Sequence, residues 1–349
     1  MHFLKNIISL NTTLKQALEK LNNLPSKDSL TLFVVDDSKK LLGSLTDGDI
    51  RRALINNLSI DAPIEKVMNK KPKYIRLNSF TIDEIDLFKE KEIDLVPIID
   101  ENDLLIKIVD LSKKKTILPV DAFLLAGGEG KRLLPLTKDT PKPMLVVGEK
   151  PIIETNIDRL YSYGIDNISL SVNYLSSVIE NYFGNGQTKD LNLSYVKETI
   201  PLGTIGSITL CSSFAKNDIL VMNSDLLTTI DFEDLYKTYK NSNADIIVAC
   251  IPYQVSLPYG VIETDQSRVI SIKEKPTYTY YSNAGIYLFK RDIIRNIPLN
   301  EYYNATDLLE DSIKKGLNVI NYPVLNYWLD IGKHDDFIKA QEDIKHLKF

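Results

Sequence analysis

Cysteine is scarce in this 349-residue chain, with only Cys211 and Cys250 present. Two are too few for a disulfide scaffold, and their spacing fits neither a zinc site nor a redox pair. Basic excess is missing as well. The formal net charge is -5, which excludes a general electrostatic attraction to nucleic acid or to an anionic membrane. No apolar run approaches the roughly 18 residues of a bilayer span. The N-terminus, MHFLKNIISLN, is broken by Lys5 and Asn6 before an apolar signal core develops. These absences predict a cytoplasmic protein with neither nucleic acid nor membrane as a partner. What remains is a globular composition, 44% hydrophobic and 26% charged, over a length suited to two domains.

The most informative stretch is Leu124–Pro143, LLAGGEGKRLLPLTKDTPKP. An apolar run, Val120 to Leu125, predicts a short buried strand that breaks into Gly127, Gly128 and Gly130. Glycines at a strand end let the backbone come close to a ligand, and successive amides form an anion nest. Arg132 adds a planar fork for phosphate oxygens, and Lys142 a mobile point charge. Together they predict a nucleotide-phosphate site. Two common phosphate loops are excluded. A Walker loop, G-x-x-x-x-G-K-[ST], fails at Leu125 and Arg132, and a dinucleotide fingerprint fails at Leu133, where its third glycine belongs.

The stretch resembles the signature of sugar-1-phosphate nucleotidyltransferases, L-A-G-G-x-G-T-R-L-x-P-L-T followed by P-K-P, with Lys131 in place of Thr. That resemblance implies nucleotide contacts from Leu125, Ala126, Gly127, Gly128, Gly130 and Lys131. Further segments follow in the family's order over residues 120–335. Glu198–Ile208, ETIPLGTIGSI, resembles E-x-x-x-L-G-T-A-G-A and implies substrate contacts from Glu198, Gly203 and Thr204, with Thr204 opening the next helix. Ile219–Asp225 is an apolar strand running into an acidic residue and resembles V-x-N-G-D, with Ser224 for Gly; Tyr327–Gly332 resembles W-x-D-x-G. By this likeness Asp225 and Asp330 hold Mg²⁺, an ion satisfied by two carboxylates, phosphates and water. Val269–Pro276 resembles F-x-E-K-P, with Ile272 for the aromatic, which implies Glu274 on sugar hydroxyls and Lys275 on the sugar phosphate. Gly260 and Asn283 match two more sugar-side segments.

Elsewhere strand and helix patterns alternate. Ile153, Ile157, Leu160 and Tyr161 share a helical face between Pro151 and Gly164, while Ile168, Leu170 and Val172 alternate as in a strand. Asp218–Met222 and Ala244–Cys250 read as further strands. Such alternation predicts a Rossmann-like, mostly parallel sheet (GT-A-like by resemblance) over residues 119–349, with ligands beyond the strands' carboxyl ends.

Residues 1–118 carry an internal repeat. Ile8–Asn11 recurs as Ile75–Asn78, and each copy is followed by a capping box, Thr13-x-x-Gln16 and Thr81-x-x-Glu84. Strands ending in acidic turns come next, at Val34–Asp37 and Ile98–Glu101. Repeated β-α-β units predict a small α/β domain. The pair resembles tandem CBS domains on Leu42–Ala53, LGSLTDGDIRRA. In that family Thr-x-x-Asp holds an adenine nucleotide, which implies Thr46 and Asp49; helix capping is the alternative reading. The second copy, Ile108–Ser112, lacks the motif. CBS pairs also assemble with one another, so a homo-oligomer is expected. Ser112–Pro119, SKKKTILP, reads as a linker.

The resemblance implies attack of a sugar 1-phosphate on the α-phosphorus of an NTP. No protein base is needed, and the only histidines are His2, His334 and His346. The fusion is similar to guanylyltransferases, which favours GTP and a glucosamine-1-phosphate-type activity. Mannose or heptose 1-phosphate, or a pyrophosphorylase using UTP or dTTP, are the alternatives. The chain ends soon after Asp330, so no appended acyltransferase repeat domain is expected. A non-catalytic nucleotide-sensing CBS protein is the competing class.

Overall fold

The computed structural model describes residues 5–25, 29–77 and 79–348. His2 and Asn78 lie outside the described residues. Among those residues no helix is long and apolar enough to cross a membrane. The chain divides into two compact units, Met1–Ile117 and Leu118–Phe349.

In the first unit β1 (Ile7–Ser9) leads to α1 (Leu14–Asn22), β2 (Thr31–Val35), β3 (Leu41–Thr46) and α2 (Asp47–Ile55). The order returns in β4 (Ile75–Arg76), α3 (Ile82–Glu90), β5 (Leu95–Ile99) and β6 (Leu105–Asp110). In each copy the first strand pair is parallel and the third strand joins antiparallel. Both predicted capping boxes form, Thr13 with Gln16 and Thr81 with Glu84. Each satisfies two amides that a helix start leaves open. The apolar face of α1 packs as its spacing requires, with Leu14, Ala17 and Leu21 buried. The copies join at their β-turns, where Leu41 N–H donates to Asp103 O and Leu105 N–H to Lys39 O, both at 3.0 Å. They diverge after the third strand: one continues into α2, the other makes a single 3₁₀ turn at Leu111–Lys113. Only the first half of SKKKTILP is solvated. Ile117 packs into the core of the second copy, and Leu118 N–H donates to Tyr163 O at 2.9 Å.

The second unit begins with β7 (Val120–Leu125), β8 (Val146–Val147), β9 (Lys150–Pro151), α4 (Ile152–Ser162), β10 (Asn167–Val172), α5 (Ser176–Phe183) and β11 (Asn192–Lys197). It continues with β12 (Asp218–Asn223), β13 (Leu226–Thr228), α6 (Phe232–Asn241), β14 (Ile246–Ser256), β15 (Val261–Asp265), β16 (Arg268–Lys273) and β17 (Thr277–Lys290). It closes with α7 (Ala305–Lys314), β18 (Val319–Pro323), β19 (Trp328–Asp330) and α8 (His334–Asp343).

Its main sheet has the order β11-β10-β7-β12-β17-β14-β18. Pairings are parallel except at β17, which runs antiparallel to both neighbours. The sheet is parallel-rich as predicted, with one reversal that the strand–helix alternation did not announce. Expected alternation in β10 is absent, because Ser169 and Ser171 are as buried as Ile168 and Leu170. A strand covered on both faces has no solvent side. Phe123, Ile219, Val221 and Phe289 share one apolar cluster with Ile205, Ile208 and Leu308. Truncating Phe123 to alanine there would cost about 3–5 kcal/mol. β14 and β17 outrun the sheet, and beyond Cys250 they form an exposed arm tipped by the β15–β16 hairpin.

Candidate active site

The carboxyl ends of β7, β10 and β12 open onto a cleft of about 620 Å³. Leu125–Arg132, Lys142, Asn173, Glu198, Gly203, Thr204, Asp225 and Gly332 line it. Gly130 sits at φ 64°, and a Cβ there would lie 3.0 Å from Lys142 Cβ and from Thr137 Cγ2. Only glycine lets the loop fold this tightly over Lys142. The return of the loop is tied down: Thr137 Oγ1 donates to Gly130 O at 2.9 Å, and the Tyr174 hydroxyl to Lys138 O at 2.8 Å. Lys142 is delivered by a 3₁₀ turn, Lys142–Met144, that starts just after Pro141.

Lys142, Asp225 and Asp330 converge. The Lys142 ammonium contacts Asp225 Oδ2 and lies 3.5 Å from Asp330 Oδ1. The carboxylates are brought together by β13 pairing antiparallel with β19, in a register that sets Leu226 opposite Asp330. The buried Oδ1 of Asp330 has no hydrogen bond among the described residues. Burial and the neighbouring Asp225 charge push the Asp330 carboxyl above its ordinary pKa, and Lys142 and Arg132 offset this only in part. Arg132 leans on Gly332, where a Cβ would meet its Nη2 at 3.5 Å. A glycine loop, a guanidinium and an ammonium shared by two carboxylates suit a polyphosphate accompanied by a cation.

The sequence profile of the nucleotidyl transferase family matches residues 121–346. The chain belongs to the nucleotidyl transferase family. A CBS domain profile matches residues 6–56. The chain is 33% identical over 234 residues to a mannose-1-phosphate guanylyltransferase of Mycobacterium tuberculosis, covering 64% of this chain and 64% of that protein. It is also 33% identical to a D-glycero-alpha-D-manno-heptose 1-phosphate guanylyltransferase of Aneurinibacillus thermoaerophilus, over 65% of this chain and 99% of the relative. The solved structure of HddC from Yersinia pseudotuberculosis complexed with GMP-PN superposes with a TM-score of 0.51 at 26% identity, covering 64% of this chain and 99% of that one.

The nucleotidyl transferase unit treats the other predicted residues unevenly. Glu198 fastens the end of β10 to the next loop: Ser171 Oγ donates to its Oε1 at 2.8 Å and Leu202 N–H to its Oε2 at 3.2 Å. Thr204 does not open the next helix. The 3₁₀ turn Gly206–Leu210 follows Ile205, and the Thr204 hydroxyl accepts instead from Ala305 N–H at 2.8 Å, capping α7. Gly203 lines the cleft, yet its lack of a side chain serves the protein's own packing. A Cβ at its φ of 76° would lie 2.6 Å from Tyr303 O.

Asn283 faces a side pocket of about 260 Å³ shared with Thr204, Asn223, Tyr287 and Asn304. Its amide donates to the Tyr287 hydroxyl at 2.7 Å, and its carbonyl accepts from Gly285 N–H at 2.9 Å. Gly260, Glu274 and Lys275 are not brought into the cleft lining; they lie exposed beside the hairpin. In the first unit Thr46 caps α2 and donates to Asp49 Oδ2 at 2.7 Å. Burial opposes the Asp49 charge, but hydrogen bonds from Thr46 and Arg52 outweigh it and hold the carboxyl below its usual range.

Asn173, Tyr174, Asn223 and Tyr302 also line the cleft and were not predicted. Asn173 and Asn223 sit at the ends of β10 and β12, where the strand-end rule points to them. Tyr302 arrives from the loop before α7, and no local signal marks it.

Proposed function

We propose that the second unit joins a nucleoside triphosphate, by preference GTP, to a sugar 1-phosphate and releases pyrophosphate. The observation that carries this is the Lys142 ammonium between Asp225 and Asp330 beside the glycine loop of the cleft. A sugar-phosphate oxygen forms a bond to the α-phosphorus. The bond from that phosphorus to the β-phosphate oxygen breaks, and pyrophosphate leaves with the electron pair. The attacking phosphate has a second pKa of about 6 and is mostly dianionic at pH 7, so no protein base is required. Positioning and charge carry the catalysis. In this reading the Gly127–Gly130 loop and Arg132 bind the triphosphate and Lys142 steadies the attacking phosphate, while Lys275, exposed outside the cleft lining, would have to move in with the arm to meet that phosphate.

The carboxylate pair fits Mg²⁺. The two groups are close enough to share one ammonium, the buried Oδ1 of Asp330 has only that ammonium at 3.5 Å beside it, and Asp330 is short of counter-charge. Asp225 and Asp330 would hold the ion, which when bound neutralises charge on phosphate oxygens.

Guanine is favoured by the names of the two relatives and by the GMP-PN complex. Mannose or heptose 1-phosphate now ranks ahead of the glucosamine 1-phosphate that the domain fusion favoured. The names of the same two relatives favour mannose or heptose over an amino sugar. For the first unit, the reading is self-association and an adenine nucleotide at Thr46 and Asp49. That ligand would compete with Arg52, whose Nη2 donates to Asp49 Oδ1 at 2.5 Å.

Pyrophosphate release, measured for each NTP against mannose, heptose, glucose and glucosamine 1-phosphates, tests the proposal. Release with GTP and a neutral sugar phosphate is expected. Binding of GTP without release for any pair would identify a nucleotide sensor instead.

A further inference from the structure

Asp225 immediately precedes β13, a strand whose only strand partner among the described residues is β19. The other edge of this segment meets α4. The carbonyls of Ser224, in the turn before the strand, and of Leu226, Thr228 and Ile230 all face that edge. Such groups need donors when buried. Two side chains supply them, spaced i and i+3 so that they share one helix face. Asn156 Nδ2 donates to Ser224 O at 3.1 Å and to Leu226 O at 2.9 Å. Arg159 donates to Thr228 O, and to Ile230 O at 2.5 Å. A helix face thus replaces a missing strand.

The bond pattern of Asn156 brackets Asp225, taking the carbonyl before it and the carbonyl after it. Asp225's own carbonyl points the other way and accepts from Ile331 N–H at 3.3 Å, next to Asp330. The backbone is therefore held from both edges at the residue whose carboxylate meets Lys142. Asn156 is only 1% exposed and is not part of the cleft lining. We infer that Asn156 is a positioning residue that sets the spacing of the Asp225 and Asp330 carboxylates, and so the affinity of the cation they share. This rests on the metal reading of that pair.

Mn²⁺ binding to the full chain, followed by electron paramagnetic resonance in the presence of GTP, tests the inference. Asn156→Ala removes both donors and should weaken Mn²⁺ binding by about 10-fold to 100-fold, the usual scale for groups that orient ligands. GTP affinity in EDTA, read by calorimetry, should change little, and kcat should fall with Mn²⁺ affinity. Asn156→Gln keeps the amide but displaces it by one methylene, and should lie between. If the alanine variant does not fold, the glutamine variant decides by the same readouts. Trp328, the single tryptophan, lies on β19 and reports by its emission that the paired strand is intact. Unchanged Mn²⁺ affinity and kcat with only a lowered melting temperature would overturn the inference. A wild type that binds no Mn²⁺ would overturn the metal reading, and this inference with it.

Discussion

The two halves of the proposed site are built differently. On the phosphate side, Lys142 and Asp225 are largely buried, ion-paired, and fastened by backbone bonds from several elements. On the sugar side, Glu274 and Lys275 stand on an exposed arm that also carries bare apolar side chains, Ile262 opposite Ile272 and Tyr253 opposite Tyr280. The first half is organised before any ligand arrives. The second has little internal packing. The contrast teaches where each kind of cost falls: changes on the phosphate side should act on the rate, and changes on the arm on substrate affinity.

The largest expected effect is that of Asp225→Asn, which should lower kcat by several orders of magnitude with the fold intact; near-normal turnover would break the contrast at its centre. Next comes Lys142→Ala. Its single-turnover rate should fall far more than its GTP affinity, and the reverse pattern in a titration would move Lys142 to ground-state binding. A smaller effect concerns stability without metal. A carboxyl whose pKa rises on folding binds its proton more tightly in the folded chain. Stability should therefore fall as pH climbs from the ordinary aspartate range through the raised value of Asp330. In EDTA at pH 7, Asp330→Asn should melt no lower than wild type while losing activity, and it should flatten that pH dependence. A lower melting temperature would show that the ion pair outweighs the burial cost. The smallest effects belong to the arm. Glu274→Gln and Lys275→Ala should raise KM for the sugar phosphate and leave the melting temperature unchanged. A loss of kcat at constant KM would place the arm with the rigid half.

Legibility in the sequence followed the same division, for a physical reason. The glycine loop and the two aspartates are local chemistry at strand ends, which apolar runs place well, and Arg132 and Lys142 follow the loop within one short motif. The capping boxes of α1 and α3 were legible because both partners lie within one turn. Contacts formed across the chain left no such trace. Thr204 caps a helix 101 positions later, and Asn156 reaches carbonyls 68 and 70 positions away. The antiparallel β17 was hidden because a hairpin, not a helix, precedes it. Gly203 looked like a ligand-approach glycine, but the neighbour it accommodates is Tyr303, a hundred residues on.

The pairing of β13 with β19 also governs when the site can exist during synthesis. Asp225 has no partner carboxylate until Asp330 has emerged, and the loop bearing Arg132 waits for α8, whose His334 Nε2 lies 2.8 Å from Leu134 O across 200 positions. Gln341, still later, donates to Val146 O at 2.6 Å. Contacts of such sequence separation form slowly, because loop closure must precede the bonds that reward it. A nascent chain can therefore complete its β7–β12 core while the acidic pair is unformed. The Asp225–Asp330 pair is therefore a late product of folding, and a chain cut short before β19 lacks it.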